Sequence, residues 1–83
     1  MNYRIYKNVK GWELVDVKQD FYNLLKVVEN LLNEGVVNFI VIEHDNKFKM
    51  DTPIMISETD YLFHKKEYEG KNECRKVHEK YKL

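Results

Sequence analysis

Residues 36–50 read VVNFIVIEHDNKFKM, the most apolar run of the chain. The segment from Val36 to Ile42 is rich in β-branched residues, with Gly35 before it and Asp45-Asn46 after it. Such a run between turn residues predicts a strand. Phe48-Lys49-Met50 alternates apolar and charged residues, which predicts a second strand and makes the pair a hairpin. Asp45 and Asn46 both tolerate positive φ, so the spacing predicts a two-residue turn. That turn pairs His44 with Lys47, Glu43 with Phe48, Ile42 with Lys49 and Val41 with Met50. Phe48 and Met50 are then expected to face the core together with Phe39 and Val41. The next stretch, DTPIMIS, continues the strand or begins an edge. Pro53 cannot donate a ladder hydrogen bond and belongs at an edge or bend.

Upstream of this hairpin, Phe21, Leu24, Leu25, Val28, Leu31 and Leu32 recur at three- and four-residue spacing. One apolar stripe on a helix is the expectation. Asp16 with Gln19 offers a capping box, Asp20 is a rival start, and Gly35 supplies the stop. Further upstream, YRIYKNVKGWELV reads as a hairpin around Asn8 and Gly11. A four-residue loop pairs Ile5 with Leu14, and a two-residue turn pairs Tyr6 with Val15. The first is preferred, because it puts Trp12 and Leu14 on a core face with Tyr3 and Ile5.

Downstream, Ser57 and Asp60 resemble a capping box opening a helix. Phe63, Gly70, Cys74, Val77 and Tyr81 align on one helical stripe, which favours a single long helix. Tyr61 and Tyr68 lie off that line, which favours a break at Gly70 with residues 71–83 as a separate helix. The break is the preferred reading. The chain is therefore expected to be one α+β domain over 1–83, an antiparallel sheet of two hairpins with helices on one face. Its order is β-β-α-β-β-α(α).

Composition narrows the function classes. The chain has 83 residues, 43% hydrophobic and 34% charged, with formal net charge zero. That balance belongs to a globular domain and disfavours a strongly basic nucleic-acid binder. One cysteine, Cys74, rules out an internal disulfide and fits a reducing, cytoplasmic setting. No apolar run approaches the ~20 residues of a membrane span. Charge is segregated: residues 13–60 hold ten acids against four lysines, and residues 61–83 hold seven basic residues against four acids.

Candidate sites follow from these patterns. Glu43-His44-Asp45 offers three ligand-type side chains in a row. In a strand Glu43 and His44 point to opposite faces, and Asp45 belongs to the turn, so a hairpin tip is expected rather than a metal site. Cys74 and His78 are four apart on a helix, a two-ligand pattern that a buried cysteine explains equally well. Lys71, Arg75, His78 and Lys82 form a basic helical stripe. With Arg4, Lys7 and Lys10 beside Tyr3 and Tyr6, they are the nucleic-acid candidates. Tyr22, Tyr61 and Tyr68 fall outside the expected core stripe and, with Glu43 and Asp45, are the protein-contact candidates. No Gly-rich phosphate loop, HExxH or nucleophile triad is present.

The expectation is a non-catalytic protein-binding module with no cofactor and no metal, whose partner is another protein. The alternative is a nucleic-acid-binding module using the C-terminal basic stripe. Phage-encoded inhibitors of host defence proteins have a similar size and composition, an analogy that rests on no motif. A small core and an unpaired edge near Pro53 leave a homodimer open.

Overall fold

A computed structural model describes the backbone of residues 1–80 and the side chains of residues 1–70. Its elements are β1 (Asn2–Asn8), β2 (Trp12–Lys18), α1 (Phe21–Asn33), β3 (Phe39–Asp45), β4 (Met50–Met55) and α2 (Glu58–Lys80). The strands form one antiparallel sheet in the order β2-β1-β3-β4. The fold is the expected small α+β arrangement.

Both helices pack on the same face of the sheet. Ile5, Phe39, Val41 and Met55 from the strands meet Leu24, Leu25, Val28 and Leu31 of α1 and Tyr61 of α2 in one buried cluster. Burying an aliphatic or aromatic side chain of this size contributes about 1.5–3 kcal/mol, so this cluster is the main source of stability. The stripe read from the sequence is the buried face of α1, with Phe21 and Leu32 half-buried at its margins. Asp20, not Asp16, caps α1: its Oδ1 accepts from the Asn23 amide at 2.8 Å. Asp16 instead lies in β2. The helix ends on Gly35 at φ 85°, where the Gly35 amide donates to the Leu32 carbonyl and the Val36 amide to the Leu31 carbonyl. Those two bonds define a Schellman stop, which the left-handed region makes favourable for glycine.

The hairpin registers differ from the expected ones. β1 and β2 are joined by three residues, with the Asn8 side chain accepting from the Gly11 amide at 3.1 Å. Leu14 pairs with Tyr6 and Trp12 with Asn8, neither of the two registers proposed. Cross-strand partners share a face, so this pairing moves Trp12 and Leu14 away from Ile5 and out of the core. They are 60% and 51% exposed. A bulge between the Ile5 and Tyr6 pairings then shifts the register again, to Ile5 opposite Asp16.

In the second hairpin, Asp45 Oδ1 accepts from the Lys47 and Phe48 amides at 2.9 and 3.3 Å. This turn runs through Lys49, at φ 51°, before β4 begins. Met50 therefore pairs with Asp45, and His44 with Asp51. Phe48 falls in the loop and Met50 at the sheet's tip, both exposed instead of in the core. Met55, past a second bulge, takes the core position. Pro53 sits on the edge strand β4, as its missing donor requires.

α2 runs without a break through Gly70. Ser57 Oγ accepts from the Asp60 amide at 3.3 Å, and Asp60 Oδ2 accepts from the Ile56 amide at 3.0 Å, so the capping pair operates. The face turned to the core carries Tyr61, His64 and Tyr68 at helical spacing, while Leu62 and Phe63 are exposed. This reverses the expected stripe through Phe63. A second tie is His64, whose Nε2 lies 3.1 Å from the Ile54 carbonyl and docks α2 onto β4.

Candidate protein-contact surfaces

The register places a second apolar surface on the sheet's other side. Tyr6 has Leu14 and Ile40 as its cross-strand neighbours, and Arg4 has Val17 and Ile42, with Pro53 beyond Ile42. Ile5 and Val41 point to the helices, so these even-numbered β1 and β3 residues point away from them. Trp12 lies at one end of the surface, beside Asn8. His44 and Asp51 lie at the other, joined by an Nδ1–Oδ1 contact of 2.6 Å. The result is a largely apolar surface that carries Arg4 within it, Trp12 at one end and the His44–Asp51 pair at the other. Among the described residues, both helices pack on the opposite face. Arg4 is the one basic candidate on this face, and it makes no ion pair among the described residues.

The tyrosine candidates converge on a different place. Tyr22, Tyr61 and Tyr68 line a cavity of about 190 Å³ between α1 and α2, with Leu25, Lys26, Glu29, Lys65 and Glu69. Tyr22 is exposed, Tyr68 half-buried and Tyr61 buried, so the last two are packing residues as well as lining. The reason is α2's rotation, which turns Tyr61 and Tyr68 onto Phe21 and Leu25. The Phe21 and Tyr68 rings lie 6.0 Å apart. Lys26 stands over the Tyr22 ring at 5.4 Å and Lys65 over the Tyr61 ring at 6.0 Å. The cavity is smaller than the ~300–1,000 Å³ of small-molecule sites and has the size for a single side chain.

Glu43 and Asp45 do not join either surface. Asp45 is spent on its turn, and Glu43 faces the helix side beside Tyr3. Lys7 also lies on the helix side, opposite Glu13 and Phe39, and Lys10 is in the first turn. Arg4, Lys7 and Lys10 therefore form no common patch. The side chains of Lys71, Arg75 and His78, and residue Lys82, lie outside the described residues. Cys74 does as well. Among the described residues no group of three His, Cys, Asp or Glu side chains is placed to hold a metal. No described helix is long and apolar enough to cross a membrane.

Two tyrosines respond to burial. Desolvation pushes the Tyr61 hydroxyl above its ordinary value, with Lys65 and Lys26 opposing and Glu29 and Glu69 reinforcing. Desolvation also raises Tyr3, helped by the Glu43 carboxylate. Above about pH 10 the unfolded chain releases these protons while the folded chain keeps them, so stability falls as pH rises past that point. A Tyr3→Phe, Tyr61→Phe double variant should lose less melting temperature than the parent between about pH 9 and pH 11. An equal loss in thermal melts of the two proteins would contradict this assignment.

Compared with family models, curated proteins and solved structures, the chain matches none of them.

Proposed function

We propose that this chain is a protein-binding module, without a reaction of its own, whose contact surface is the open face of the sheet. The observation that carries the reading is the set Tyr6, Trp12, Leu14, Val17, Ile40 and Ile42 on the face away from the helices. A patch of this kind, with an aromatic at its border, is what a protein interface needs and what a monomer rarely leaves uncovered. The inhibitor role rests on size and composition, and the fold adds no observation to it.

A nucleic-acid reading has one observation in its favour: Arg4, Tyr6 and Trp12 share the open face, and stacking surfaces are built from aromatics beside cations. The rest of the face is aliphatic and carries Asp51, which favours protein over a phosphate backbone. Immobilised parent, Trp12→Ala and Ile42→Lys are compared on a lysate that also holds a differently tagged copy of the chain. Proteins retained by the parent and lost from both variants are the expected result. Retention unchanged in both would contradict the reading. Oligonucleotide binding that falls steeply with salt and disappears in Arg4→Ala would replace it with the alternative.

A further inference from the structure

We propose that the occupant of the open sheet face is a second copy of this chain, packed sheet against sheet about a two-fold axis. The inference rests on the protein-binding reading above and names its partner. Two features of the sheet carry it, and a third sets its strength.

The first is that both edges of the sheet carry features that hinder a partner strand. At the β2 edge, a bulge interrupts the ladder and Asp16 Oδ1 takes the Val17 amide at 2.7 Å. At the β4 edge, Pro53 lacks a donor. Bulges and prolines at edges prevent sheet extension. A second copy therefore meets less hindrance at the face than at the edges.

The second is the charge of the face. A patch made for a foreign partner commonly carries one sign and selects the opposite one. This face holds both: Arg4, without an ion pair among the described residues, and Asp51, paired through one oxygen with His44 and 58% exposed. In an isologous contact residue i meets residue j and j meets i, so each surface must contain a charge and its counter-charge. Arg4 counts against self-packing unless an acceptor crosses the axis to it, and the partner copy's Asp51 is that acceptor. Formal net charge is zero, so no long-range repulsion opposes the approach of two copies.

The third is area. Four strands about 4.8 Å apart and about seven residues long give a footprint of roughly 450 Å². Two copies then bury roughly 900 Å², short of the ~1,200–2,000 Å² of stable complexes. The dimer is therefore weak and reversible, forming and dissociating with concentration.

Sedimentation equilibrium from about 1 µM to about 1 mM tests this. The parent's weight-average mass should rise from 10.1 kDa toward twice that value. Leu14→Lys and Ile42→Lys should stay monomeric, with melting curves at low concentration confirming that they fold. A parent that stays monomeric throughout overturns the second-copy assignment. That result leaves the capture comparison to decide the protein-binding reading separately. A dimer that persists in both folded variants also overturns the assignment, because another surface then holds it.

Discussion

Replacing Leu24 by Ala should lower the unfolding free energy by about 3 kcal/mol, a large share of what a domain of this size possesses. Leu24 is fully buried on the α1 stripe and belongs to the core cluster with Ile5, Val28 and Phe39. Its removal leaves a cavity in a close-packed cluster that relaxes only in part. Leu14→Ala is the control: Leu14 is half out of the protein on the opposite face, and its loss should cost under about 1 kcal/mol. Urea titrations of both variants at low concentration measure the difference. Equal losses would mean that Leu14 is a core residue and that the first hairpin has the other register.

The second large effect concerns association. Trp12→Ala should weaken whatever contact the open face makes by about 2 kcal/mol, or roughly 30-fold in dissociation constant. Trp12 is the chain's single tryptophan and is 60% exposed, so nothing in the fold requires it where it stands. Its melting temperature should stay near the parent's, which separates a binding role from a structural one. A variant that binds as the parent does, by sedimentation or by capture, would place the contact elsewhere.

How much of this was legible depended on which physical rule governed each element. α1 was readable because a buried helix stripe leaves a three-and-four spacing that survives any detail of packing. Its stop was readable because Gly35 occupies a φ that other residues avoid. The number and type of the strands, and their order along the chain, were readable from apolar and β-branched runs between turn residues. The registers were not, because Ile40, Val41 and Ile42 are apolar on both sides and impose no parity on their partners. Two side-chain acceptors, Asn8 Oδ1 and Asp45 Oδ1, hold the turns, and two bulges shift the pairing beyond them. The open face depends on those registers, so Trp12 and Leu14 were misassigned to the core for the same reason.

α2 failed differently. Tyr61, Phe63 and Tyr68 offered two competing stripes. Contacts with Phe21 and Leu25 on another element decided between them, so local sequence alone did not. The tyrosine group was nonetheless singled out, and it does converge, although on a side-chain-sized slot between the helices with Tyr61 as its buried wall.

Among the described residues, the helices cover one face of the sheet and leave the other, with Trp12 on it, exposed. Trp12 fluorescence reads this directly, since the chain has no other indole. At low concentration the emission should be that of a water-exposed indole and should be strongly quenched by acrylamide. Blue-shifted, poorly quenched emission from dilute, monomeric protein would contradict the account, because it would return Trp12 to the core.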